Sequence, residues 1–164
     1  MLLESFAKAF SGQDKIKLTI VGDGDERRRL EELTKELGIE NQVVYSGKAE
    51  RDTIKELLHS ADGLVHSSSY ETFGVVLIEA LSCGLPVLST RNGGAESILI
   101  SEDCGILSES DVDNYAANLQ QFVKKIKNSE YDKFVIRNYV VENFSISKVA
   151  VQYRHLYSDI TRRK

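Results

Sequence analysis

The sequence predicts an α/β domain: a Rossmann-like parallel sheet with helices on both faces, followed by a helical C-terminal segment. Three observations carry this. Short apolar runs at 16–21, 43–45, 63–66, 86–89 and 105–107 alternate with charged stretches of helical period. Glycine-bearing turns follow several runs, at Gly22-Asp23-Gly24, Ser46-Gly47 and Arg91-Asn92-Gly93-Gly94. From Asp111 onward the apolar residues recur only at helical spacing. Strands that alternate with helices lie parallel, because each connection crosses over through a helix and returns to the same end of the sheet. With 164 residues, 41% of them hydrophobic, the chain can bury the core of one domain, read here as spanning 1–164.

The elements follow in order. Leu2, Leu3, Phe6, Ala9 and Phe10 share a helical face, and Gly12 stands where a C-cap would end it. The run at 16–21 is a strand stopped by Gly22, and the charged stretch 25–38, with Leu30, Leu33 and Leu37 on one side, is an amphipathic helix. Val43, Val44 and Tyr45 form the next strand. Asp52 is read as the N-cap of a helix through Leu58, and 63–66 is again strand-like. Residues 67–70 form a loop into a helix opening on Phe73-Gly74-Val75, apolar all round and therefore expected to be buried. Pro86 sits where a strand can begin. A short helix is expected at 96–100 and a last strand at 105–107. Tyr115, Leu119, Phe122, Val123 and Ile126 then mark one face of a long helix, and 131–143 and 145–160 continue the pattern.

The composition narrows the function. A net charge of −4 and a pI near 5.5 argue against nucleic acid as the main partner. Cys83 and Cys104 lie far apart without metal-ligand spacing, which fits reduced thiols in a cytoplasmic protein. His59, His66 and His155 fall in different elements, form no metal set, and are not assigned to catalysis. No apolar run approaches the roughly 18 residues of a spanning helix. Lys124, Lys125 and Lys127 suit either a solvated helix face or peripheral contact with the inner face of a membrane.

Glu71 and Glu79 bracket a stretch, 72–78, in which only Thr72 is polar. A buried carboxylate needs a partner, and ligand hydroxyls are one kind. Between them the helix start at Phe73-Gly74-Val75 offers backbone N–H groups with no bulky polar side chain over them, a natural phosphate site. A carboxylate on each side of a phosphate cradle suits a sugar linked to a diphosphate. Each also has a plainer reading: Glu71 as an acid favouring a helix N-terminus, Glu79 as a rim residue. In open parallel sheets ligands bind beyond the carboxyl ends of the strands, which puts Gly22, Gly47, Lys48, the 67–73 loop and the 91–94 loop on one rim. Gly22 either admits close backbone approach or simply turns the chain. Gly47 and Lys48 either border a base or are a turn and a solvated lysine, and Arg91 either approaches a phosphate or is an ordinary surface arginine.

The segment from Ser69 to Leu88, with Glu71 and Glu79 at its E-x7-E positions and Cys83-Gly84-Leu85-Pro86 after them, resembles the motif of retaining GT-B glycosyltransferases of family 4, the "glycosyl transferases group 1" type. Val21-Gly22-Asp23-Gly24, Tyr45-Ser46-Gly47 and Asn92-Gly93-Gly94-Ala95-Glu96 resemble other turns of that family. The resemblance implies the C-terminal, nucleotide-sugar-binding half of a GT-B fold. Glu79 would bind ribose hydroxyls, the Phe73-Gly74-Val75 backbone the diphosphate, and Glu71 would position the donor sugar as the catalytic carboxylate, with Gly22, Gly47 and Lys48 completing the donor site. A nucleoside-diphosphate sugar is then the substrate, with no metal or other cofactor expected, and an acceptor sugar or lipid would be held by an N-terminal domain. The family's domain opens on a strand and a loop bearing an arginine and a lysine, whereas this sequence starts in the helix after them, so the domain is expected to be truncated at its N-terminus. That strand would be central, between 16–21 and 63–66. Its absence should leave a gap, an exposed edge open to association, or a new pairing. Ala95 stands where relatives often have proline, which should loosen that turn. The alternative is a short nucleotide-binding or partner-binding module completed by another protein.

Overall fold

The computed structural model describes residues 1–162. In chain order the elements are α1 (Leu2–Phe10), β1 (Leu18–Val21), α2 (Arg27–Glu36), β2 (Val43–Gly47), α3 (Arg51–Ser60), β3 (Leu64–His66), α4 (Val75–Ser82), β4 (Val87–Thr90), α5 (Gly94–Ile98), a 3-10 turn (Glu102–Cys104), β5 (Gly105–Ser108), α6 (Val112–Lys127), α7 (Lys133–Phe144) and α8 (Ile146–Arg162). All strand pairings are parallel, as the alternation predicts.

The strands form two sheets rather than one: β1 pairs with β2, and β3, β4 and β5 pair in that order. Of the three outcomes expected for the centre of the sheet, the gap is the one found. Its direction follows from the hydrogen bonds. Leu18 N–H reaches Gln42 O at 2.9 Å and Gly22 N–H reaches Gly47 O at 2.8 Å, so the even positions of β1 face β2 and Thr19 and Val21 turn their backbone groups toward the gap. Leu64 N–H likewise binds Pro86 O at 3.0 Å, which turns the backbone of Val65 to the other side of the same gap.

Side-chain alternation separates two cores. Leu18, Val43, Leu88 and partly buried Val65 and Ile106 join Leu3, Phe6 and Phe10 of α1 and Tyr115, Leu119 and Phe122 of α6. Leu64, Val87 and Leu107, on the opposite face of the three-stranded sheet, pack with Leu58, Leu77, Leu81, Ile98 and Ile136. Helices therefore cover both faces only of that sheet. On β1 and β2 the outer face stays open, with Val21 42% and Val44 53% exposed. What spans the gap is helix packing, α1 against α6. The buried Gln42 amide fixes the approach to β1, sharing its two protons among Phe10 O, Gln13 O and Ile16 O at 3.1, 3.2 and 3.2 Å.

Several local expectations change. Glu50, not Asp52, is the N-cap of α3, and Asp52 lies in its first turn. α4 begins at Val75 rather than Phe73, after Gly74 at φ 92°, a left-handed backbone that glycine adopts without a Cβ clash. It is also not buried all round: Leu77, Ala80 and Leu81 face the core while Val75 is 60% exposed. α5 starts at Gly94, earlier than the expected 96. Asp111, where the helical pattern begins, is the N-cap of α6, accepting from Asp113 and Asn114 N–H at 3.0 and 2.8 Å. α8 carries an apolar stripe through Tyr153, Leu156, Tyr157 and Ile160 that neither core covers. No helix among the described residues is long and apolar enough to cross a membrane.

Candidate donor site at the strand rim

The loops that leave β3 and β4 are laced together. Thr90 Oγ1 donates to Ser68 O at 2.5 Å, Glu71 N–H donates to Asn92 O at 3.1 Å, and Glu71 and Gly93 form an isolated parallel bridge. The approach is close enough that a Cβ on Gly94 would lie 2.8 Å from Phe73 O and 3.0 Å from Glu71 O, so this position admits only glycine without backbone movement.

The second loop holds itself in shape. Glu96 accepts from Asn92 N–H at 3.0 Å and Gly93 N–H at 2.9 Å. Burial pushes its carboxyl up, but those backbone donors and Arg91 outweigh the effect and hold it below the ordinary carboxylate value. Asn92 Oδ1 accepts from Ala95 N–H at 3.0 Å. That bond corrects the expectation for Ala95: a proline has no N–H to give, so alanine ties the turn rather than loosening it.

Glu71 stands directly before α4. Its Oε1 accepts from Phe73 N–H at 3.3 Å. This donor, with help from Thr72 and Gly74 N–H and from His66, holds the carboxyl below its ordinary value against the opposing effect of burial. The N–H groups of Phe73-Gly74-Val75 are thus not all open, contrary to the sequence expectation, because Glu71 folds back onto that of Phe73. Gly74 follows as the N-cap; Leu77 N–H already donates to Gly74 O at 3.0 Å, which leaves the N–H groups of Val75 and Val76 without a partner among the described residues. Glu79 lies one turn beyond exposed Val75 and on the same helix face. It is half-buried, and its carboxylate makes no hydrogen bond or ion pair among the described residues.

Gly22 and Gly47 meet on the other sheet through their 2.8 Å hydrogen bond, with exposed Lys48 beside them. No hydrogen bond or ion pair among the described residues joins this pair to the Glu71 to Glu79 group. Arg91 pairs with Glu109 at 3.1 Å on the surface, in keeping with its plainer reading. Two features of the rim are legible only here. Glu96 three residues after Gly93 is a capping spacing that marks a rigid loop, and His66, set aside in the sequence, is the last residue of a strand that ends on the rim.

Residues 1–139 match the model of a family described as glycosyl transferases group 1. The chain belongs to this family. It is 35% identical to N-acetyl-alpha-D-glucosaminyl L-malate synthase of Bacillus anthracis over 98% of its own length and 42% of that protein. It is 31% identical to 2-deoxystreptamine N-acetyl-D-glucosaminyltransferase of Niallia circulans over 87% of its length and 37% of that protein. The chain thus spans about two fifths of the relatives it matches. Among solved structures, sucrose-phosphate synthase from Thermosynechococcus elongatus superposes with a TM-score of 0.77 at 26% identity, over 99% of this chain and 43% of that one. The C-terminal domain of a glycosyl transferase group 1 family protein from Francisella tularensis shares the fold, with a TM-score of 0.76 at 21% identity over 88% of this chain and 78% of that one. The GT-B half-domain expected from the E-x7-E segment is the fold of this group 1 domain.

Proposed function

We propose that this chain is the donor-binding part of a retaining glycosyltransferase, and that its donor is a nucleoside-diphosphate N-acetylglucosamine. The observation that carries the reading is Glu79, a half-buried carboxylate without a partner among the described residues, one turn along the helix whose N-terminus faces the rim. A carboxylate kept partly from water without a protein donor is satisfied by ligand hydroxyls, and ribose supplies two adjacent ones. The N–H groups of Val75 and Val76, with those of Gly74 and Phe73, hold the diphosphate, and Glu71 turns from Phe73 N–H to the donor sugar. Gly22, Gly47 and Lys48 border the base. As the sugar–phosphate bond breaks, its electron pair passes to the diphosphate, whose charge meets these fixed dipoles. The sugar is proposed from the relatives: the names of the two above share the N-acetylglucosaminyl group and differ in the acceptor. A cytoplasmic site of action, with peripheral membrane contact through the lysines of α6, completes the proposal.

Titration calorimetry of UDP, GDP and UDP-N-acetylglucosamine against this chain tests it. Weak binding of one nucleotide is expected, and Glu79→Ala should weaken it about ten- to a hundredfold, the loss of hydrogen bonds to a charged group. Equal affinity of Glu79→Ala and parent would remove Glu79 from the site.

The gap between β1 and β3 favours a second reading, a module completed by a strand from another polypeptide. Recovery of a stable complex whose partner protects the Thr19, Val21 and Val65 amides from exchange would support it.

A further inference from the structure

We propose that His66 reads the transferred sugar, its Nε2 accepting a hydrogen bond from a sugar hydroxyl beside Glu71; this rests on the donor-binding reading above. The ring is fixed by its other nitrogen. Nδ1 lies 3.1 Å from Ser89 Oγ, and Ser89 Oγ donates to Thr90 O at 3.1 Å. Ser89 has one hydroxyl proton and two acceptors in reach, Thr90 O and His66 Nδ1; we assign that proton to Thr90 O, so that the Ser89 oxygen accepts and Nδ1 carries the hydrogen. Ser89 is fully buried, so no water competes for this anchor. The backbone is pinned as well, because Tyr115 Oη donates to His66 O at 3.1 Å.

This tautomer leaves a lone pair on Nε2. Among the described residues Nε2 has no partner, and the only side-chain polar atom both sealed from solvent and unpaired is the Tyr131 hydroxyl, so Nε2 reaches the surface. Burial pushes the imidazole below its ordinary value against the pull of Glu71, which keeps the lone pair unprotonated at neutral pH. The rim then presents two kinds of group. The head of α4 offers donors, which suit phosphate oxygens, and the Glu71 carboxylate and His66 Nε2 offer acceptors, which suit the hydroxyls of a sugar.

Calorimetry with UDP and UDP-N-acetylglucosamine on the parent chain, His66→Ala and His66→Gln separates the possibilities. His66→Ala should weaken UDP-N-acetylglucosamine about three- to tenfold, the loss of one neutral hydrogen bond, and leave UDP unchanged. His66→Gln, which restores an acceptor, should recover part of the loss. In ¹⁵N spectra of the unsubstituted chain the Nε2 signal should move with UDP-N-acetylglucosamine and stay still with UDP, a readout that needs no variant to fold. Equal weakening of both ligands by His66→Ala, or an Nε2 signal indifferent to the sugar, overturns the role of His66 while the donor site stands. Failure of both ligands to bind the parent overturns the donor-binding reading and this inference together.

Discussion

Glu71 is held from two sides: its N–H donates to Asn92 O at 3.1 Å and its carboxylate accepts from Phe73 N–H at 3.3 Å. The residue proposed to meet the donor sugar is therefore placed by the loop after β4, not only by its own loop. Disturbing one loop should be felt at the other.

Gly94→Ala tests that coupling. The new methyl meets backbone, Phe73 O at 2.8 Å, which cannot rotate away. The expected cost is about 1–3 kcal/mol in urea unfolding, typical of overpacking, together with weaker UDP binding. A variant as stable as the parent would show that the loops are not in close register.

In Glu71→Gln a charge leaves the head of α4 while a side chain of the same size remains. UDP should bind as well as to the parent or a few-fold more tightly, since a carboxylate no longer competes with the diphosphate for N–H groups. UDP-N-acetylglucosamine should lose its advantage over UDP. Weaker UDP binding, measured by calorimetry at low and high salt, would contradict the fold-back of Glu71.

Acid should act in two stages. Burial sets His66 below its ordinary 6.5 in the folded chain, so as pH falls through about 6.5 the unfolded chain takes the proton first and stability declines toward the lower folded value. The lowered carboxyls of Glu71, Glu96 and Asp111 contribute stability above their ordinary range and lose it at more acidic pH, as the native carboxylates are protonated. Urea midpoints measured from about pH 3 to about pH 8 read both stages, and His66→Gln should remove the upper one.

The open edges predict association. Thr19 N–H points into the gap, so Thr19→Pro deletes an unpaired donor without touching the bonds from β1 to β2. Sedimentation should show the parent associating as its concentration rises and Thr19→Pro doing so less. A parent that stays monomeric throughout would mean that the edges are covered in solution.

Much of this was readable from residue order. Alternating runs and glycines specified the parallel strands and their rim, and the apolar face through Tyr115, Leu119 and Phe122 specified the helix that spans both sheets. What escaped depends on partners distant in sequence. Nothing local to Ala95 indicates that its N–H is used by Asn92, and His66 gains meaning only once β4 places Ser89 beside it. The burial of α4 differs from the expectation because an apolar composition does not say which side faces a core, and exposed Val75, with exposed Phe73 just before the helix, borders the candidate site.

The split between the sheets also bears on motion. Among the described residues no strand hydrogen bonds cross from β1 to β3, so the Gly22–Gly47 side and the Glu71–Glu79 side are joined where α1 meets α6. There side chains interdigitate, Ser5 Oγ donates to Val112 O at 3.2 Å, Gln120 Nε2 donates to Ala9 O at 3.2 Å, and Lys8 pairs with Asp113 at 2.6 Å. Packed helices slide past one another by small steps. The expected response to a ligand that touches both sides is shear, a tightening of the rim in which Phe6, Phe10 and Phe122 shift against one another while each sheet keeps its register.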